Sequence, residues 1–310
     1  MIWKLCSSSL RDYQLVSVSK TCRPLPGASS KVGLKKHHTK ASRQQGCGNA
    51  SETMDLEEGT TQTELDWLTK RNGALRNVTD QGNRRTCWTI ASTRGLSASL
   101  VIADRFDPPD ANLSALHMLV GLIDKVDTTG GLQNLEHLRS FMINWGAVLE
   151  EDCDCPQLAL ESKKDSSKPK PVLCTNKKKA KQTRTFKVKD LIILKEVDEK
   201  ELMRLVNLGP VAVTIDVHTA FSTFKGDGIY TGPTNKCRKL DRHMLLVYGY
   251  GTDKLTGIHY WRVQNSAGLT WGMNGYGKIV RQISRGTEAN KSLFTSVIYP
   301  QLLDHYEGQK

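Results

Sequence analysis

What this sequence lacks narrows its function first. No apolar run approaches the roughly 18 residues that a membrane-spanning helix needs, so no membrane partner is expected. The opening MIWKLCSSSLRDYQ has no continuous apolar stretch of the secretory type, so classical secretion is not expected from it. No internal repeat is visible, and aromatic residues make up only 6%. Acidic residues are nearly missing from two places. Residues 1–50 hold nine Lys/Arg against Asp12, and residues 163–189 hold eleven against Asp165. The net charge of +12 over 310 residues is therefore local, and the rest of the chain is mildly acidic. Charge runs of this kind read as solvated tails or loops, which sets nucleic acid behind other partners.

What is present points to a globular chain. The apolar share is 38%, enough to build a core. Residues 1–60 are rich in Ser, Lys and Gly and read as a disordered basic extension. Residues 61–162 carry helical signals. In GLQNLEHLRSFMINWG, Leu132, Leu135, Leu138, Phe141, Met142 and Trp145 are expected on one face, with Gly146 as the stop. Residues 163–189 form a lysine-rich insertion. Residues 190–303 turn strand-like, through PVAVTIDV, MLLVYGY, YWRVQN and YGKIV, and 304–310 are a tail. One helix interrupts the strands at VDEKELMRLVNLG, with Asp198 and Glu201 as a capping box and Gly209 at its end. The expected architecture is α+β, in two lobes that share a cleft.

Three short clusters carry chemistry. The first is Gln81-Gly82-Asn83-Arg84-Arg85-Thr86-Cys87-Trp88, followed by a helix-compatible run. A cysteine opening a helix feels the positive end of the helix dipole, which favours thiolate. Gln81 could place an amide N–H beside the Cys87 backbone N–H, and two such donors make an oxyanion hole. The second cluster runs from Leu240 to Gly251 and puts His243 at the start of an apolar strand. The third runs from Tyr260 to Gly268, where Asn265 could accept from the imidazole and fix its orientation. Alone, a cysteine is more often a small buried hydrophobe. The CxC of Cys153 and Cys155 is too tight for a usual zinc site, so no metal is expected.

Together the clusters resemble the papain-like cysteine proteases, from about Leu65 to Pro300. Cys87 and His243 lie 156 residues apart, slightly beyond the roughly 130–150 of that family's spacing. Asp66-Trp67, Leu113-Ser114, Gly130-Gly131, Gly209-Pro210-Val211, Gly228-Ile229-Tyr230 and Asn274-Gly275-Tyr276 fit its pattern in order. The resemblance implies a helical N-terminal lobe and an antiparallel, β-barrel-like C-terminal lobe, with the active site in the cleft. It implies Cys87 as nucleophile, His243 as general acid/base, Asn265 as orienter and Gln81 as oxyanion donor. It further implies Gly130 and Gly131 as cleft-lining main-chain partners for an extended peptide, and Ser296 at the floor of the pocket for the second residue before the cut. No cofactor is required, the partner is a peptide or protein substrate, and a monomer suffices. Members of the family are typically lysosomal, vacuolar or extracellular. The reading from a different functional class is a non-catalytic homologue that binds peptides or a protein partner.

The chain also departs from the pattern. Arg84 and Arg85 stand in the Cys-Gly places of the motif, and Thr128 replaces the matching disulfide partner. Lys291 stands where Cys237 would find its partner, and Cys174 lacks one near Leu122. Arg242 precedes the histidine, where its charge is expected to lower the His243 pKa. Ala267 replaces a tryptophan, which is expected to open the His–Asn hydrogen bond to water.

Overall fold

Helix α2 (Cys87–Ile102) is the axle of the molecule, and its sequence says why. Twelve of its sixteen residues are buried, on every side, from Cys87 and Trp88 through Leu96 to Val101. A helix buried all round must be enclosed by other elements rather than lie on a surface. A computed structural model describes residues 63–106, 112–153, 184–195, 197–233, 239–281 and 292–306. These fall within one unit, Thr60–Lys310, where α2 packs on α3 (Ala115–Gly121) on one side and on strands β5 (Val211–His218), β7 (Lys239–Thr252) and β10 (Phe294–Leu302) on the other. The expected extension 1–60 and most of the lysine-rich segment lie outside the described residues.

The helical lobe gathers Leu96, Leu100, Met118, Leu138, Met142 and Phe186 into one core. Helix α4 (Leu135–Asn144) starts at Asn134, whose side chain accepts from the Glu136 N–H. Gly146, at φ 73°, ends it in the left-handed conformation that glycine adopts without strain. Trp145 departs from expectation. It is 53% exposed, because the helix has already ended at Asn144 and the chain turns the indole outward.

The other lobe is built on a largely antiparallel sheet. Its path runs β4 (Val188–Lys195), β10, β5, β7, β8 (His259–Gln264), β9 (Tyr276–Val280), β6 (Ile229–Tyr230), and β1 (Leu65–Asp66) adds to β7. The β6–β9 pair is parallel and the path does not close on itself among the described residues, so this is an open sheet rather than a closed barrel. Helix α5 (Glu199–Leu208) covers it. Asp198 caps that helix through the N–H groups of Lys200 and Glu201, but the Glu201 carboxylate turns to Arg204 instead of completing the box.

Strands β4 and β10, and the short β1, β2 (Ala147–Val148), β3 (Thr185–Phe186) and β6, escaped the sequence reading. Lysines interrupt the alternation in VKDLIILK, yet Val188 and Leu191 are buried and β4 pairs along β10. The last residues of the lysine-rich segment are therefore strand, with β3 also pairing β2.

Candidate active site

The loop before Cys87 is organised by its own polar side chains. Asp80 accepts from the Gly82 N–H at 2.8 Å, and Gly82 takes φ 60° to make the turn. The Gln81 N–H reaches the Ser266 carbonyl at 2.9 Å, so the loop is tied to the chain just past β8. Thr86 precedes α2 without capping it by its side chain, and Cys87 takes the first helical position, at the positive end of the helix dipole. Cys87 is buried, with a free thiol.

Antiparallel pairing supplies the second side. β7 enters its ladder with Arg242 opposite Asp216 and His243 opposite Ile215, and α2 lies across it. The two elements that carry Cys87 and His243 are therefore packed against each other. The thiol and the imidazole lie within electrostatic reach of each other. One imidazole nitrogen, Nε2, donates to the Asn265 Oδ1 at 2.7 Å, and the same oxygen accepts from the Ser266 N–H. Asn265 and Ser266 are buried to 4% and 3% exposure.

The electrostatics follow from that proximity. Burial pushes the Cys87 thiol up, but His243, with backbone bonds from Met244 and Trp88, brings it below its ordinary value. Burial pulls the His243 imidazole down, but Cys87, Asn265 and the Asp241 carboxylate raise it above its ordinary value. Each partner favours the other's charged form.

The expectation for Arg242 is overturned here. Successive residues of a strand face opposite ways, so Asp241 shares the face of His243 while Arg242 turns to Asp216 at 3.9 Å. The charge felt by the imidazole is a carboxylate. Asn265 stays buried because the Gln81 loop folds over the chain at Ser266, and Asp80 bridges Ala267.

The remaining expected residues are spread unequally. The Gln81 amide is held in place, its Oε1 accepting from the Ser266 Oγ at 2.6 Å and its Nε2 donating to the Arg84 carbonyl at 2.6 Å. An amide nitrogen carries two hydrogens, so one is left for a ligand. The Gly130 carbonyl accepts from Trp88 Nε1 at 2.8 Å, and its N–H reaches the Asp127 carbonyl. The Gly131 N–H is bound by the Asp127 carboxylate at 2.9 Å and its carbonyl by the Asp127 N–H. Both glycine N–H groups are thus engaged within their loop, and each carbonyl keeps a second lone pair. Ser296 lies on β10 opposite Thr214, which in turn faces Met244, the neighbour of the histidine, so Ser296 is two strands away from it.

Four contributors were missed by the sequence reading: Asp127, Asp241, Ser266 and Phe221. The Phe221 ring lies 6.4 Å from the imidazole and packs on Trp271. Asp241 was detectable, since strand alternation alone puts it on the side of His243. Among the described residues, no group of three His, Cys, Asp or Glu stands close enough to hold a metal ion.

Comparison with known proteins falls on the same region. A family model described as papain family cysteine protease matches residues 61–297. The chain is 32% identical over 225 residues to cathepsin L of Sarcophaga peregrina, covering 72% of this chain and 60% of that protein. It is 28% identical over 226 residues to a KDEL-tailed cysteine endopeptidase of Arabidopsis thaliana, covering 71% of this chain and 54% of the relative. The chain thus spans between half and two thirds of these curated relatives. Among solved structures it superposes on the Carica candamarcensis cysteine protease CMS1MS2 in complex with E-64 with TM-score 0.53 and 23% identity, covering 77% of this chain and 98% of that one. Procathepsin B S9 from Trypanosoma congolense gives TM-score 0.60 and 19% identity, covering 81% of each. At such identities these two structures speak for the fold.

Proposed function

The chain belongs to the papain family of cysteine proteases, and we propose that it is a cysteine-type endopeptidase working through Cys87 and His243. The observation that carries this is the placement of the dyad: Cys87 opens α2, α2 packs on the strand that carries His243, and Asn265 accepts from the far ring nitrogen. The thiol is lowered, the imidazole raised, and Asn265 holds the far ring nitrogen at 2.7 Å. A thiolate beside an imidazolium is a nucleophile with its proton donor already loaded.

The chemistry runs in two halves. The Cys87 thiolate attacks the peptide carbonyl, and the oxyanion is received by the Cys87 N–H and the free Gln81 amide hydrogen. His243 gives its proton to the leaving amine, and the acyl-enzyme forms as the C–N bond breaks. The neutral imidazole then takes a proton from water, whose oxygen attacks the thioester, and the thiolate leaves. Asn265 keeps the ring in plane through both proton transfers. Gly130, Gly131 and Ser296 are proposed to line the path of an extended peptide. No step calls for a cofactor. The binding-only alternative requires an inert thiol, which the lowered Cys87 pKa speaks against.

The test is direct. Limiting iodoacetamide at pH 6 should label Cys87 ahead of the other cysteines, and Cys87→Ala should remove all cleavage of fluorogenic peptides while leaving the melting temperature nearly unchanged. A Cys87 that reacts no faster than an ordinary thiol would favour the binding-only reading.

A further inference from the structure

The pair Cys87–His243 has a second pair beside it. Arg85 precedes the nucleophile by two residues, Asp241 precedes the histidine by two, and their side chains form an ion pair across the cleft. Neither side chain floats. The Arg85 N–H donates to the Thr129 carbonyl at 2.9 Å, and its guanidinium also reaches the Asp127 carboxylate at 3.2 Å. Asp127 is in turn held by the N–H groups of Thr129 and Gly131 and by the Thr129 hydroxyl, which brings its carboxyl down to about 2. Asp241 accepts from its neighbour's N–H at 2.7 Å. The guanidinium fork therefore joins three chain segments: the loop before α2, the loop at Gly131 and the start of β7.

We propose that Arg85 and Asp241 form a positioning pair for the dyad, an ion pair spanning the cleft that fixes the nucleophile's loop to the strand carrying His243. This rests on the protease reading of the same site. Three features support it. The pair crosses between the two elements whose spacing decides whether thiol and imidazole meet. Arg's planar fork binds two carboxylates at once, which a lysine cannot reproduce. And its charges face the dyad in matching order, since Arg85 lies within electrostatic reach of Cys87 and Asp241 within reach of His243. The groups facing His243 are Cys87 from α2, Asn265 beyond β8, Asp241 on its own strand and the uncharged ring of Phe221. Arg242 and Lys239 bind Asp216 instead.

The charges give the proposal a signature that a purely structural role lacks. Removing the cation should raise both ionisations of the dyad, and removing the carboxylate should lower both. The full-length protein would be alkylated at Cys87 with iodoacetamide across pH, alongside kcat and KM on one fluorogenic peptide. Arg85→Gln should move the alkylation profile up by about half a pH unit or more, and Asp241→Asn should move it down by a similar amount. Each should lower kcat about tenfold with KM changed less than about twofold, as for a slightly misplaced dyad. Arg85→Lys should restore the profile while recovering only part of kcat. Profiles that stay put, or move the same way in both variants, would overturn the proposal while leaving Cys87 an active nucleophile. An unreactive Cys87 in the parent protein would instead bring down the protease reading, and this pair's role with it.

Discussion

The two lobes bury their interiors with different chemistry. The sheet lobe is aromatic: Phe221, Tyr230, Tyr250, Trp261, Trp271 and Phe294 share one core, and the tips of Trp261, Trp271 and Tyr250 have partners. Trp261 Nε1 donates to Glu199, Trp271 Nε1 to the Phe221 carbonyl and the Tyr250 hydroxyl to Asn207, each at 2.8 Å. The helical lobe buries small polar and titratable groups instead. Thr89, Ser92, Thr93 and Ser97 lie inside on α2, and His117 is 2% exposed with its Nδ1 unpaired. Arg94 is held by Asn112 and Thr79, and burial brings it down to about 10. The lesson is one of division: His243 stands beside a core of packed aromatic rings, while Cys87 stands on a helix that buries small polar and titratable side chains.

The strongest way to break that contrast is to empty the sheet lobe. Trp261 is fully buried, its ring between Tyr250 and Phe294. Trp261→Ala should cost about 3–5 kcal/mol in urea unfolding, since cavity and lost contacts add. It also removes the indole N–H from which Glu199 accepts. A loss below about 1 kcal/mol would mean the aromatic core does not hold this lobe together.

Next in size is a change on the nucleophile's side that touches chemistry more than stability. Gln81→Ala removes the anchored amide, and one oxyanion donor is typically worth about 3 kcal/mol, or roughly a hundredfold in kcat. KM and melting temperature should move little, because Gln81 is only partly buried. A change confined to KM would place the amide in substrate binding rather than at the oxyanion.

The same contrast explains what was legible in the sequence. Cys87, Gln81, His243 and Asn265 each sit in a short motif whose chemistry can be argued from neighbours, and the structure brings all four together. The short apolar runs became β5, β7, β8 and β9 for the same reason. What was hidden depends on pairing. β4 was concealed by lysines that a strand can point outward, and β10 by the absence of any flanking motif. Asp127 reached the site only because a loop distant in sequence folds onto the Arg85 backbone. Asp241 was misjudged through counting along the chain, where Arg242 is nearest, instead of along a strand face.

A smaller effect tests the helical lobe's buried titratable side chains. Burial brings His117 down to about 4, from an ordinary value near 6.5. The unfolded chain then takes up a proton that the folded lobe refuses. Stability is therefore full above about pH 6.5, falls as pH drops toward 4, and levels off below that. At pH 5 the loss should be about 2 kcal/mol relative to pH 7. Urea midpoints across pH should show this slope, and His117→Leu should flatten it. A slope that survives the substitution would assign the acid sensitivity to another group.

The smallest effect belongs to Arg242, and its smallness is the point. Along the chain it is the charge nearest the imidazole, but strand geometry turns it away, toward Asp216, and it is largely exposed. Exposed ion pairs contribute roughly 0–1 kcal/mol. Arg242→Gln should accordingly change stability by less than about 0.5 kcal/mol and leave the pH profile of Cys87 alkylation where it was. Ala267→Trp should be similarly quiet in rate, since the Asn265 side of its bond to His243 is already buried. Set beside Asp241→Asn, the comparison isolates direction from distance: two adjacent charged residues precede one histidine, and only the one on its face should move the profile. An upward shift in Arg242→Gln matching that of Arg85→Gln would show that this end of β7 does not hold its alternation in solution.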